Sequence, residues 1–255
     1  MAPALRLRGV SKYFGSVSAL SNVNLDAYAG EVHAIVGDNG AGKSTTIKII
    51  AGIHRPDDGE VLVNGEELAH VNSAATARKH GIAVVYQDLA LVECLDIAHN
   101  MALGNLPRKF GIVLDRRRME REAAEVLRDL KVRVGNVRTP VGLLSGGQRQ
   151  VVAVARAVRT DRPIMLLDEP TAALGVQETA QVGDIIDRLR ASGKAVIIVS
   201  HDLDFVFSHA DRVTVLRLGR TVGTRAVTDT GREQVVGMIT GAVPADPTPD
   251  HEVAS

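Results

Sequence analysis

Apolar positions along this chain fall into two rhythms. Short, nearly unbroken apolar runs rich in Val and Ile occur at 31–36, 59–63, 82–85, 163–167, 194–199 and 212–218. Such runs are too short for helices and lack polar alternation, so they predict strands covered on both faces. Between them, apolar residues recur every three or four positions at 43–51, 115–130, 148–160, 177–190 and 232–240, which predicts amphipathic helices. Strands and helices alternate, so the expected fold class is α/β with a largely parallel sheet. Two stretches depart from this. From 89 to 144 strand character is scarce, and a mostly helical insert is expected. From 242 the chain reads AVPADPTPDHEVAS, proline-rich and polar, and a disordered tail over 242–255 is expected.

Composition changes this picture only by exclusion. A chain of 255 residues can bury one large core, or a core with an inserted subdomain. Thirty basic residues offset thirty acidic ones, so no global field draws nucleic acid or an anionic membrane, and no nucleic-acid partner is expected. The single cysteine, Cys94, permits no intramolecular disulfide, and a buried or half-buried thiol is expected there. No stretch approaches the roughly 18 apolar residues of a membrane span. The first residues lack a signal-peptide pattern, so the cytoplasm is the expected compartment.

Three motifs carry chemistry. After the 31–36 run comes Gly37-Asp38-Asn39-Gly40-Ala41-Gly42-Lys43-Ser44-Thr45, which matches a phosphate loop. Its glycines let the backbone N–H groups turn inward onto phosphate oxygens, and the following helix adds its positive end. Lys43 would reach the β- and γ-phosphates, and the Ser44 hydroxyl could ligate Mg²⁺. A chance glycine-rich turn would produce this match in about one chain of this length in a hundred. Second, the 163–167 run ends in Asp168-Glu169. Many strands end in an acidic turn, but a metal-bound nucleotide accounts for both carboxylates: Asp168 on Mg²⁺, and Glu169 as general base for the attacking water. Third, Leu144-Ser145-Gly146-Gly147-Gln148 precedes a long helical pattern. Ser145 and Gln148 have the spacing of a capping box, yet two adjacent glycines exceed what a cap needs. They suggest a helix N-terminus left open for another object to press against.

With these motifs in order, the chain resembles the ABC (ATP-binding cassette) ATPase family from about residue 5 to 241. Tyr13 stands where that family has the aromatic residue that stacks on adenine. The phosphate loop, Gln87 in Tyr86-Gln87-Asp88, the 144–148 signature, the acidic pair and His201 in Ser200-His201-Asp202 follow in register. Singly, a tyrosine near the start or a lone histidine is more often structural; the shared order reverses those odds. The resemblance implies a P-loop NTPase fold with a mostly parallel core sheet, an antiparallel β subdomain and a helical subdomain over about 89–160. It implies ATP and Mg²⁺ as cofactors and ATP hydrolysis as the activity. Gln87 would touch Mg²⁺ and water, and His201 the γ-phosphate. Ser145, Gly146, Gly147 and Gln148 would cover ATP held by a second subunit.

The implied assembly is a homodimer with ATP sandwiched between subunits, on the cytoplasmic face of the cell membrane. Two transmembrane permease subunits and an extracytoplasmic solute-binding protein would complete it. One departure stands out: Ala172-Ala173-Leu174-Gly175 replaces the common Ser-Ala-Leu-Asp. That form is similar to the branch that powers monosaccharide importers, which makes ribose, xylose or fructose-type sugars the expected cargo class. An exporter cassette shares every catalytic motif. A soluble ABC ATPase would be expected to carry tandem cassettes, cysteine clusters or coiled-coil insertions, which are missing here. The permease is expected to dock around 87–104, where Leu89, Leu91, Leu95, Ile97 and Met101 could equally be core.

Overall fold

The computed structural model describes residues 2–68, 74–110, 112–132 and 135–246. In chain order the first elements are β1 (Leu5–Phe14), β2 (Val17–Ala27), β3 (Val32–Val36), α1 (Lys43–Ile50), β4 (Asp58–Val63), β5 (Glu66–Glu67), α2 (Ala74–Lys79) and β6 (Ile82–Val85). Next come α3 (Ile97–Ala102), β7 (Arg108–Lys109), β8 (Val113–Leu114), α4 (Arg116–Asp129) and α5 (Gly146–Val158). The chain continues through β9 (Ile164–Asp168), α6 (Val176–Ala191), β10 (Ala195–Val199), α7 (Leu203–His209), β11 (Arg212–Arg217), β12 (Arg220–Ala226) and α8 (Arg232–Thr240).

The central sheet runs in the order β12-β11-β3-β10-β9-β6. Its pairs are parallel from β11 to β6, and β12 closes the β11 edge antiparallel. Every residue of β3, β9 and β10 is buried. Strand geometry sends alternate side chains to opposite faces. Ile164, Leu166, Ile197 and Val199 therefore join Ile47 and Ile50 of α1 and the inner residues of β1 and β2. Met165, Leu167, Val196 and Ile198 join the helices on the opposite face, including Ile185 of α6 and Met238 of α8. Both faces are apolar, which is why these strands read as unbroken runs. A second, antiparallel sheet, β2-β1-β4-β5, lies over α1's face.

The stretch before β9 is not purely helical. Helices α3, α4 and α5 pack on one another, but a small hairpin, β7–β8, interrupts them. Their apolar residues, Ile97, Met101, Met119 and Val151 among them, are continuous with the core of the parallel sheet. The expected disorder does not begin at 242. Gly241 caps α8 in a left-handed conformation (φ 86°) and turns the chain back. The Val243 N–H then donates to Gly237 O, the Asp246 N–H to Val222 O, and the Asp246 carboxylate accepts two bonds from Arg225. The remainder of the tail, 247–255, lies outside the described residues.

Candidate functional site

The predicted chemistry converges on one sheet edge by topology alone. Strands β3, β10, β9 and β6 are parallel neighbours, so their carboxyl ends lie along the same edge. From those ends emerge, respectively, Gly37, Ser200-His201, Asp168-Glu169 and Tyr86-Gln87. Open α/β sheets bind ligands at this edge.

The 37–45 loop needs its glycines for steric reasons. Gly42 has φ 101°, and a Cβ there would stand 2.5 Å from Cδ2 of Leu20 and 3.0 Å from the Ala19 carbonyl. At Gly37 (φ 154°) a Cβ would overlap the Leu216 carbonyl. The Lys43 ammonium donates to Gly37 O at 2.7 Å and Asp38 O at 3.0 Å, so its charge is held over the curled loop. The Ala41 N–H donates to Asp38 O at 3.1 Å, which tightens that curl. Asp38, Asn39, Gly40 and Ser44 are exposed, and Thr45 is half-buried. No side chain caps α1 and its first turn holds no acid, so its N-terminal N–H groups and positive end face the loop uncompensated.

Opposite stands the acidic pair. Asp168 closes β9 and is buried; burial raises its pKa, the Glu169 charge raises it further, and Lys43 and Lys48 oppose both. Glu169 occupies the left-handed region (φ 49°), a costly conformation that re-aims its side chain away from the strand line. Its N–H donates to Val199 O at 2.9 Å, and its Oε2 bonds Nδ1 of His201 at 2.8 Å. Thus β10 anchors the Glu169 backbone, and the turn just after it supplies the side-chain partner. Gln87 is exposed just beyond β6. Ser44, Gln87 and Asp168 offer hard oxygen donors, the chemistry Mg²⁺ prefers. Among the described residues there is no group of three or more His, Cys, Asp or Glu that could hold a metal ion.

Tyr13 lies beside the loop. It pairs with Ser18 across β1–β2, one residue before the Ala19-Leu20 segment that abuts Gly42. Its N–H donates to Oδ2 of Asp57 at 2.6 Å, a bond that, with the Lys12 ammonium, lowers the Asp57 pKa. The neighbouring Phe14 is engaged edge-on by His54 at 5.3 Å, whereas Tyr13 has no ring contact among the described residues.

The 145–148 segment forms its capping box: Oγ of Ser145 accepts from the Gln148 N–H at 3.2 Å, and Gln148 Oε1 accepts from the Ser145 N–H at 3.1 Å. Its two glycines differ in kind. Gly146 is exposed, and a Cβ there would meet nothing within 4 Å. Gly147 is buried, and a Cβ there would overlap Cγ of Glu178 and stand 2.6 Å from its Cβ. One glycine leaves the helix end open; the other lets α6 approach. Among the described residues no hydrogen bond or ion pair joins 145–148 to the phosphate loop.

The family model for ABC transporters matches residues 20–172. The chain belongs to the ABC transporter family. It is 45% identical over 241 residues to a ribose import ATP-binding protein of Rubrobacter xylanophilus, covering 94% of this chain and 48% of that protein. The chain thus spans about half the length of the first curated relatives it matches. A fructose import ATP-binding protein of Rhizobium meliloti is 43% identical and is covered over 95% of its length, with 94% of this chain. Among solved structures, a nucleotide-free ATP-binding cassette superposes with a TM-score of 0.80 at 26% identity, covering 93% of this chain and 95% of the other. A dimeric cassette in a post-hydrolysis state, bound to ADP and phosphate, gives 0.77 at 29% identity, over 88% and 98%.

Within this ABC cassette several residues matter that the motifs do not announce. Arg156 of α5 reaches back to the segment after Gln87, donating to Leu89 O and Ala90 O at 2.7 Å each. Burial lowers its pKa, and no carboxylate pairs with it among the described residues. An arginine in a helical pattern normally reads as surface, so nothing local marks it. Glu178 and Asp57 are likewise visible only through the residues they touch. Ile97 and Met101 are core rather than docking surface, whereas Leu89, Leu91 and Leu95 are half-buried. Cys94 is exposed, contrary to expectation, because 92–94 run along the surface before α3 turns inward.

Proposed function

We propose that this chain binds ATP with Mg²⁺ and hydrolyses it as the ATP-binding subunit of an importer for a small solute, with a monosaccharide as the cargo class and separate permease subunits forming the route. One observation carries the enzymatic part: loop, acidic pair, Gln87 and His201 leave four adjacent parallel strands at the same edge. The full-length match to a fructose import ATP-binding protein supports the cargo class. No helix among the described residues is long and apolar enough to cross a membrane.

In this reading Tyr13 stacks on the adenine. Residues 37–45 cradle the phosphates, with Lys43 on the β- and γ-oxygens. Ser44, Asp168 and Gln87 hold Mg²⁺, which neutralises phosphate charge when bound. Glu169 takes the proton of the attacking water, and His201, bonded to it at 2.8 Å, orients it and reaches the γ-phosphate.

Ser145, Gly146, Gly147 and Gln148 cover the nucleotide of a second copy in a two-fold dimer. Two exposed apolar side chains support that contact: Leu143 just before the signature and Val176 at the start of α6 are 77% and 89% exposed. Purified Glu169→Gln, which blocks hydrolysis and spares the loop, is expected to dimerise in ATP without Mg²⁺ and to separate in ADP. Size-exclusion chromatography with light scattering reads this. Adding Ser145→Arg should abolish the dimer. A strict monomer at high protein and ATP concentrations would overturn the homodimer, and ATP hydrolysis that survives Glu169→Gln would overturn the assigned base.

A further inference from the structure

The most exposed apolar surface among the described residues lies away from the nucleotide edge, on the β7–β8 hairpin. Phe110 is 97% exposed, Ile112 86% and Val113 60%. The hairpin is held from below. Lys109 pairs with Val113, the Asp115 N–H donates to Pro107 O at 2.8 Å, and Leu114 packs against the core. Phe110 adopts a left-handed backbone (φ 52°) at the tip, where a glycine or asparagine would be easier. Sequence and backbone together hold an aromatic ring out in solvent, against the usual preference of large apolar side chains.

Around the tip the charge is as uneven as the apolarity. Between 108 and 121 stand six cations, Arg108, Lys109, Arg116, Arg117, Arg118 and Arg121, and two carboxylates, Asp115 and Glu120. The chain's zero net charge conceals this local excess. Three of the arginines fill the first turn of α4, and the N-cap Asp115 accepts from the Arg118 N–H at 3.1 Å. One capping carboxylate therefore faces three guanidinium groups at a helix end where cations oppose the dipole. Arg118 is bonded to Glu122 and Lys109 stands 3.8 Å from Asp115. Arg116 and Arg117 are exposed and form no ion pair among the described residues.

We propose that this hairpin is a lipid contact: Phe110, Ile112 and Val113 enter the interface of a bilayer, and the surrounding arginines and Lys109 engage anionic headgroups. This goes beyond the proposed transport role, because the contact belongs to the subunit alone and needs no permease. Size and charge favour lipid over protein. The exposed apolar surface is three side chains on a two-stranded hairpin, whereas a stable protein interface buries about 800 Å² per partner with charge depleted at its centre. An apolar wedge ringed by Arg and Lys is the pattern that anionic membrane surfaces attract. Each cation near such a surface strengthens binding about fivefold.

The chain contains no tryptophan, so Phe110→Trp in the full-length protein places a single reporter at the tip. Vesicles of phosphatidylcholine alone are compared with equal parts of phosphatidylcholine and phosphatidylglycerol. The expected result is a blue shift of emission and quenching by brominated acyl chains, with the mixed vesicles only and weakening with added salt. Co-sedimentation should fall more than about tenfold for Arg116→Gln with Arg117→Gln, and similarly for Phe110→Ser with Ile112→Ser, with hydrolysis unchanged. Emission indifferent to both vesicle types would overturn the proposal. A shift seen only in vesicles that contain the permease would assign the hairpin to a protein partner, and one that follows protein concentration without lipid would assign it to self-association.

Discussion

Two neighbouring glycines should respond to the same substitution with opposite sign. Gly146→Ala places a methyl group where nothing lies within 4 Å. Its effect is the ordinary advantage of alanine over glycine in a helix, about 0.5–1 kcal/mol, taken at the lower end in the first turn. Gly147→Ala gains the same and then collides with α6. The obstacle is the root of Glu178, with Cβ 2.6 Å away, and Cβ is fixed by the α6 backbone, so rotating the side chain relieves only Cγ. Overpacking of this kind costs about 1–3 kcal/mol, leaving Gly147→Ala less stable by about 0.5–2.5 kcal/mol. Far-UV circular dichroism in urea reads both. With a slope of about 3 kcal/mol/M, the midpoint rises by about 0.2 M for the first and falls by about 0.2–0.8 M for the second. Adding Glu178→Gly to Gly147→Ala removes the obstructing atoms, and the pair should show a coupling of about 0.5–3 kcal/mol. Equal shifts for the two glycines, or no coupling to Glu178, would refute the packing account of Gly147. Because Gly146 faces outward, Gly146→Ala should also weaken the ATP-dependent dimer of Glu169→Gln while stabilising the subunit.

Three further outcomes follow from the described contacts. Arg156→Met strips the partner from Leu89 O and Ala90 O and should destabilise the fold by about 1–3 kcal/mol in chemical denaturation, with Arg156→Lys intermediate. Burial and the Glu169 charge raise the Asp168 pKa from 3.8, so the nucleotide-free fold should lose stability as pH rises from there through the raised value. Mg²⁺-dependent nucleotide affinity should instead fall as pH drops through that raised value, and Asp168→Asn should flatten both profiles. The Arg225 guanidinium lowers the Asp246 pKa, so this pair contributes above the unfolded value and its contribution is lost as pH falls. Since Asp246 is partly exposed, Asp246→Asn should cost less than about 1 kcal/mol at neutral pH and nothing in acid.

How much of this was legible in the sequence depended on whether a signal was local. Strands β3, β9 and β10 are buried on both faces, so their sequences had to be apolar throughout and were read to within about two residues. The 37–45 loop and the Asp168-Glu169 pair were legible because both are short local patterns of fixed residue types at fixed spacing. By contrast, β1 and β2 escaped the periodicity. Register shifts between Leu7 and Val10, and a left-handed Asn22, reset the two-residue alternation before it accumulates. Helices α3 and α7, of six and seven residues, are too short to express a helical period. Arg156 and Gly147 look like an exposed arginine and half of a flexible turn until the chain segments that meet them are in place. Order up to Asp246 depends on Arg225 and Val222 of β12, which the composition of the tail cannot reveal.

The placement of α6 gives the Gly175 departure a physical reason. Gly175 is the N-cap of α6 and supplies no side-chain cap. The helix's acid comes from Glu178 in the first turn, where a carboxylate favours the positive end. A Cβ at Gly175 would stand 2.7 Å from Oε2 of Glu178, the far end of a flexible side chain, so a larger residue there would have to displace that carboxylate. Glu178 thus supplies a first-turn acid where the N-cap residue offers no side chain. It also ties α6 to α5, because the stem of Glu178 fills the notch left by Gly147. Further along, the His209 ring fills the notch at Gly183 and bonds Asp187 at 3.0 Å. Helix α7, which His209 ends, begins directly after His201 and Asp202. One rigid helix thus meets both the signature helix and the helix behind His201 through contacts that leave no room for a methyl group. Close-packed contacts of this kind transmit displacement rather than absorb it. In the proposed dimer, this packing is the route by which a displacement of 145–148 would reach His201 and, through their hydrogen bond, Glu169.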